Sequence, residues 1–200
     1  MNCAPKELAG IVFDCDGTLA DTMPLHWLAW NATSRKYDLG FTEERFYALG
    51  GVPARDIVRM LAEEQGRSLD PLAIAREKEN AYLEFMDHVQ PIEPVVEIAR
   101  TYHGRIPLAV ASGGTSDIID LVLRRLGIRG LFAAVVTSEQ VRRQKPAPDI
   151  FLEAASRIGV DPGRCRGYED TELGMQAIRA AGMEAVHVDD VLGGRRLPAA

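Results

Sequence analysis

The sequence lacks any apolar run long enough to cross a membrane, and it contains few cysteines. The longest apolar segments, 8–13 and 131–136, have the length of strands, whereas a membrane helix needs about 18 apolar residues. The N-terminus shows neither the apolar core nor the cleavage site of a signal peptide. Three cysteines, Cys3, Cys15 and Cys165, have no metal-binding spacing. These absences predict a reduced, cytoplasmic protein in which each cysteine is a small packing residue.

The chain also lacks an excess of positive charge, internal repeats and low-complexity segments. Its 200 residues contain 23 Lys and Arg against 29 Asp and Glu, which gives a net charge of −6. An acidic chain is not expected to bind nucleic acid or an anionic membrane as its main partner. The hydrophobic fraction of 46% and the charged fraction of 26% are those of an ordinary globular protein and exclude a disordered chain.

Short apolar segments alternate with helical patterns, and this alternation predicts βαβ units in a parallel sheet. The predicted strands are 10–14, 106–111, 133–137, 165–169 and 185–188. Between residues 24 and 89 only helical periodicity is present. We therefore expect an α/β core domain, residues 1–21 and 90–200, with a helical cap domain, residues 22–89, inserted after the first strand.

Polar residues follow four of the predicted strands. In chain order they are Asp14 and Asp16, then Ser112 with Gly113, then Lys145, then Glu169 and Asp170. Each group alone has an ordinary explanation, such as a turn, a solvated lysine or a helix cap. Because the carboxyl ends of parallel strands meet at one edge of the sheet, we expect the four groups to share a site. Carboxylates and a lysine together suit phosphoryl transfer with Mg²⁺.

With these motifs in this order, the sequence resembles the haloacid dehalogenase superfamily. The resemblance is to the branch with a cap after the first strand, which includes β-phosphoglucomutase and sugar-phosphate phosphatases. It implies a Rossmann-like parallel-sheet core with a C1-type helical cap. It also implies that Asp14 is the nucleophile that becomes an aspartyl phosphate. Asp16 would be the general acid and base, and Ser112, Gly113 and Lys145 would bind the phosphoryl oxygens.

The resemblance also implies the metal ligands. They would be Asp14, the backbone carbonyl of Asp16, Asp170 and, directly or through water, Glu169. The presence of Asp16 argues against the dehalogenases and phosphonate hydrolases of the superfamily, in which this aspartate is missing. We expect neighbouring negative charge to raise the pKa of Asp16, so that it begins the reaction protonated.

Four residues of the cap match positions that face the substrate in this branch. Thr22, His26 and Trp30 match the entrance at the cap hinge, and Lys78 matches a cap lysine that reaches the site. The alternative for Trp30 is an ordinary apolar face of the first cap helix. The alternative for Lys78 is a solvated charged face.

One departure from the mutases favours hydrolysis. A mutase binds its second phosphate with a cap arginine, whereas here Ala54 holds that place and Arg55 follows one residue later. On a helix this shift turns the side chain by about 100°. Segments 72–78 and 102–110 also resemble bacterial fructose-1-phosphate phosphatases.

We therefore expect a monomeric Mg²⁺-dependent phosphatase of small sugar phosphates, with fructose 1-phosphate as the first candidate. A β-phosphoglucomutase-type sugar phosphomutase is the alternative. A non-catalytic phospho-receiver module is a further hypothesis, but a receiver needs neither a cap nor the leaving-group acid Asp16.

Overall fold

The strand β1 (Gly10–Phe13) lies at the centre of a five-stranded parallel sheet in the computed structural model, which describes residues 7–193. The other strands are β4 (Leu108–Ser112), β5 (Ala134–Thr137), β6 (Cys165–Glu169) and β7 (Glu184–His187). Their order across the sheet is β5-β4-β1-β6-β7. The five predicted strands are confirmed to within two residues at each end. Cys3 lies outside the described residues.

Helices cover both faces of this sheet, which explains why β1 is apolar without alternation. They are α5 (Glu93–Tyr102), α6 (Ser116–Arg125), α7 (Asp149–Arg157), α8 (Glu172–Ala180) and the short α9 (Val188–Val191). Ile11 and Phe13 pack with Ile119 of α6 in one buried cluster. Val12 points to the other face and packs with Phe151 of α7 in a second.

Between β1 and β4 the chain forms four further helices with a core of their own. They are α1 (Met23–Tyr37), α2 (Glu43–Ala48), α3 (Ala54–Glu64) and α4 (Pro71–Leu83). Trp30, Phe46, Val58 and Leu61 are members of this third buried cluster. The Asp70 side chain caps α4 by accepting hydrogen bonds from two backbone N–H groups of its first turn. We refer to residues 22–89 as the cap.

Two short strands connect the cap with the sheet. These are β2 (Ala20–Asp21) and β3 (Gln90–Pro91), which pair in antiparallel orientation. The sequence did not predict them because two residues carry no periodic pattern. They lie next to the predicted cap boundaries, at 21/22 and 89/90. The division into two domains stays a prediction.

The strand order positions the candidate site. Because β4 and β6 flank β1, the carboxyl ends of three neighbouring strands place Asp14, Ser112 and Glu169 side by side. None of the helices between residues 7 and 193 is long and apolar enough to span a membrane.

Candidate active site

Lys145 joins two of the predicted strand-end carboxylates. Its Nζ donates hydrogen bonds to Asp14 Oδ1 at 2.6 Å and to Glu169 Oε2 at 3.0 Å. All three side chains are buried. The attraction of the two carboxylates outweighs the effect of burial and raises the pKa of Lys145 above its usual range. The loop after β5 therefore delivers a permanently charged ammonium to the end of β1.

Three carboxylates surround this single ammonium. Asp14, Glu169 and Asp170 each place an oxygen within 4.8 Å of the others. Gly17 has a φ of +80° and lies against the Asp170 carboxylate, so that a Cβ there would overlap it. Burial and the neighbouring negative charges raise the pKa values of both Asp14 and Asp170. The cluster therefore carries more negative charge than Lys145 can balance.

This donor set fits Mg²⁺. The ion binds hard oxygen ligands at about 2.1 Å, so oxygens on opposite sides of it are about 4.2 Å apart. The three carboxylate oxygens all lie within 4.8 Å of one another, which is compatible with their binding one ion. Three carboxylates against one ammonium leave a net charge that a divalent cation neutralises. Asp16 is not part of this carboxylate cluster, and ligation through its backbone carbonyl stays a prediction.

The Asp16 carboxylate contacts the cap hinge and not the acidic cluster. Its Oδ1 accepts a hydrogen bond from Thr22 Oγ1 at 2.6 Å and lies 3.2 Å from His26 Nε2. Its Oδ2 accepts a longer hydrogen bond, of 3.5 Å, from Ser112 Oγ. Burial acts to raise its pKa, but the contacts with His26 and Thr22 and the charge of Lys78 lower it to about 2. The expectation that Asp16 rests protonated is therefore wrong for this arrangement, because hydrogen-bond donors surround it.

His26 connects Asp16 to Lys78. Lys78 Nζ lies 2.7 Å from His26 Nδ1, and Tyr82 stacks on the imidazole with ring centroids 3.9 Å apart. Lys78 is buried rather than part of a solvated face. Trp30 is buried in the cap core and also lines the site, with Lys78 over its ring at 5.7 Å. Tyr82 was not among the predicted site residues, although it follows Lys78 by four residues and so lies on the same helix face.

The backbone of the cap approaches the strand ends closely at Gly51 and Gly113. A Cβ on Gly113 would overlap the carbonyl oxygen of Gly51, which lies in the loop between α2 and α3. A Cβ on Gly51 would be in van der Waals contact with Lys145 and Thr171. Thr171, which was not among the predicted site residues, caps α8 and donates a hydrogen bond to Glu169. This loop thus lies against the residues at the strand ends.

A cavity of about 500 Å³ lies between the cap and the strand ends. Most of the predicted site residues line it, namely Asp14, Asp16, His26, Lys78, Ser112, Gly113, Glu169 and Asp170. Two predicted site residues, Thr22 and Lys145, do not line the cavity. Both are buried, and they contact the carboxylates of Asp16 and Asp14, which do line it. Arg55 does line the cavity, so the one-residue shift does not remove an arginine from the cap side of the site.

The comparisons with known proteins agree with this geometry. A family model for haloacid dehalogenase-like hydrolases matches residues 11–188. The fructose-1-phosphate phosphatase YqaB of Escherichia coli K12 is 44% identical over 184 residues, which cover 92% of this chain and 97% of that protein. The β-phosphoglucomutase of Bacillus subtilis is 30% identical over 190 residues, which cover 90% of this chain and 83% of that protein.

The fold also matches solved structures. The crystal structure of a β-phosphoglucomutase from Clostridium difficile superimposes with a TM-score of 0.81 at 24% identity, covering 94% of this chain and 88% of that one. These matches span the parallel sheet and the helices inserted after β1. The likeness therefore includes the cap as well as the strand ends.

Proposed function

The chain belongs to the family of haloacid dehalogenase-like hydrolases, and from this premise we propose that it is a Mg²⁺-dependent phosphatase of small sugar phosphates, with fructose 1-phosphate as the leading substrate. The observation that carries the proposal is the placement of Asp14. Asp14 lines the cavity, accepts a hydrogen bond from Lys145 and belongs to the acidic cluster, and Asp16 lines the same cavity. The similarity to the Escherichia coli fructose-1-phosphate phosphatase supports the choice of substrate.

In this proposal Asp14 is the nucleophile. Lys145 holds its Oδ1, which leaves Oδ2 to attack phosphorus. A bond forms between this oxygen and phosphorus while the bond from phosphorus to the sugar oxygen breaks, giving an aspartyl phosphate. Lys145 and Ser112 offer donors to the phosphoryl oxygens. Mg²⁺ held by Asp14, Glu169 and Asp170 would supply further neutralisation of the phosphate charge.

Asp16 carries the proton in this scheme. Its Oδ1 is occupied by Thr22 and His26, so Oδ2 is the oxygen available to protonate the departing sugar oxygen. It later takes a proton from the water that attacks the aspartyl phosphate. Because Asp16 is ionised at rest, it must gain its proton as substrate binds; the added negative charge of the phosphate raises its pKa.

A sugar phosphomutase is the second candidate. The 30% identity to the Bacillus subtilis β-phosphoglucomutase and the presence of Arg55 in the cavity wall favour it. The higher identity, over nearly the full length, to the phosphatase favours hydrolysis. We therefore place the phosphatase first.

Phosphorus NMR with Mg²⁺ tests the proposal. We expect fructose 1-phosphate to release inorganic phosphate, and Asp14→Asn to slow that release by about a thousandfold or more. The control is Asp117→Asn, an exposed carboxylate of the same cavity wall. A second sample contains β-glucose 1-phosphate and a trace of the 1,6-bisphosphate. Conversion to glucose 6-phosphate without free phosphate would identify a mutase, and a stable phosphoprotein without turnover would identify a receiver module.

We propose further that the protein works as a monomer in the cytoplasm. Cys15 and Cys165 are free and buried, which suits a reducing compartment. The net charge of −6 disfavours nucleic acid and anionic membranes as partners.

A further inference from the structure

We propose that Glu79 selects among sugar phosphates by accepting a hydrogen bond from a substrate hydroxyl at the end away from the phosphate. The inference rests on the phosphatase activity proposed above and concerns the substrate specificity of that same site.

Glu79 has one satisfied and one unsatisfied carboxylate oxygen. Its Oε1 accepts a hydrogen bond from Lys78 Nζ at 3.3 Å. Its Oε2 is buried and has no hydrogen-bond partner among residues 7–193. Burying a polar atom without a partner is costly, and for an ionised group the cost is larger. The position therefore requires a hydrogen-bond donor from outside the described protein.

Glu79 lies where the substrate would supply that donor. It belongs to the wall of the cavity that contains Asp14 and Asp16, and 20% of its side chain is exposed. Leu72, Ala75 and Leu83 of the same helix also line the cavity, together with the polar side chains of Arg76, Lys78 and Asn80. Because Oε2 itself is buried, a substrate hydroxyl can reach it only if the Glu79 side chain turns toward the cavity.

The charges of the site set the direction in which a substrate binds. The phosphate belongs at the Asp14 and Lys145 end, where the ammonium and the proposed Mg²⁺ balance it. A carboxylate strengthens a hydrogen bond from a neutral donor, whereas Arg55, Arg76 and Lys78 on the cap side of the same cavity offset its repulsion of other anions. In a sugar monophosphate, hydroxyl groups are the donors remote from the phosphate. Glu79 therefore suits a polyhydroxylated monophosphate rather than an unsubstituted alkyl phosphate.

A buried water is the competing explanation. The hydroxyl of Tyr82 is the other described buried side-chain atom without a partner, and it lies three residues further along α4. A water that joins Tyr82 and Glu79 would satisfy both atoms without any contact to substrate. A loss of activity on mutation of Glu79 would then be the same for every substrate.

The experiment compares two substrates in two variants. Fructose 1-phosphate carries hydroxyls remote from its phosphate, whereas propyl phosphate carries none. Because the propyl leaving group is more basic, each variant is compared with the wild type on the same substrate. We expect Glu79→Ala to lower kcat/KM for fructose 1-phosphate by about ten- to a hundredfold. For propyl phosphate, kcat/KM should stay within about threefold of the wild-type value. Glu79→Gln keeps a neutral hydrogen-bond acceptor, so its kcat/KM for fructose 1-phosphate should fall less than that of Glu79→Ala. Glu84→Ala removes an exposed carboxylate from the end of the same helix and should leave kcat/KM unchanged for both substrates.

The possible results separate the hypotheses. An equal loss for both substrates would overturn the inference and assign Glu79 a positioning role through Lys78 or the water. Unchanged kinetics for both substrates would also overturn it. A wild-type protein that hydrolyses neither substrate would instead overturn the proposed phosphatase itself, so the two failures are distinguishable. Thermal unfolding of each variant establishes that the compared proteins are folded.

Discussion

At the scale of single residues, the ammonium of Lys145 is the main counter-charge of the strand-end site. It contacts two buried carboxylates directly, and a third, Asp170, lies in the same cluster. Buried charges of one sign are unfavourable unless a partner balances them. Lys145 therefore contributes to folding as well as to the proposed chemistry, and the two contributions can be measured separately.

Replacing Lys145 with methionine tests this contribution. The change keeps the length of the side chain but leaves Asp14 and Glu169 without their cation. We expect the free energy of unfolding to fall by about 3 kcal/mol or more, and added Mg²⁺ to restore part of the loss. Urea unfolding at neutral pH, with and without Mg²⁺, is the measurement.

The matched control for this prediction is Lys36→Met. Lys36 pairs with Glu77 on the surface, and an exposed pair contributes little because water and salt screen it. Loss of this surface ion pair should leave the free energy of unfolding nearly unchanged. Equal destabilisation by the two substitutions would show that Lys145 does not balance a buried acidic cluster.

The residues of the site were predictable from the sequence, but the state of Asp16 was not. Asp14, Ser112, Lys145 and Glu169 each lie at or after the carboxyl end of a strand, so topology alone brings them together. The low pKa of Asp16 depends instead on donors from the cap hinge and on Lys78. Lys78 meets His26 across 52 positions of sequence, and no local pattern predicts such a contact.

At the scale of elements, the contact between two glycines determines how closely the cap approaches the sheet. Gly51 belongs to the loop between α2 and α3, and Gly113 follows β4. Because a Cβ on Gly113 would overlap the Gly51 carbonyl, the observed approach requires glycine at this position. The close approach of the cap thus depends on a residue without a side chain, which also lines the cavity.

Gly113→Ala is expected to hold the cap away from this position. The displaced loop would leave the cavity open to water and misplace the residues of the cap, so kcat/KM should fall by about tenfold or more. Steady-state kinetics on fructose 1-phosphate measure the effect. The control is Gly130→Ala, where an added Cβ meets nothing within 4 Å. Wild-type kinetics for Gly113→Ala would mean that turnover does not use this closed arrangement.

The elements themselves differ in how well the sequence predicts them. The strands β1, β4 and β5 are mainly apolar over four or five residues, so they are visible in the sequence as apolar runs. The ladder of β2 and β3 has two residues in each strand and depends on tertiary contacts that fix both connections of the cap. Short elements of this kind follow from packing and leave no periodic signal.

At the scale of the whole molecule, binding of Mg²⁺ at the acidic cluster should stabilise the folded chain, because the unfolded chain does not bring the three carboxylates together. At a Mg²⁺ concentration about a hundred times Kd, the gain is about 2.7 kcal/mol. For a chain of this size that corresponds to a rise in Tm of about 5–10 °C. Thermal unfolding with Mg²⁺, and with NaCl at matched ionic strength, measures the rise.

Asp170→Asn should separate repulsion from metal binding, because its two effects have opposite signs. Without Mg²⁺ the variant should have a higher Tm than the wild type, since one of three clustered negative charges is removed while Asn can still accept the hydrogen bond from Thr18. With Mg²⁺ the rise in Tm should be smaller, because a charged ligand is lost. Asp117→Asn removes an exposed carboxylate outside the cluster and should keep the full rise. If Asp170→Asn also kept it, the cluster of Asp14, Glu169 and Asp170 would not be the metal site, and Mg²⁺ would have to bind elsewhere on the chain.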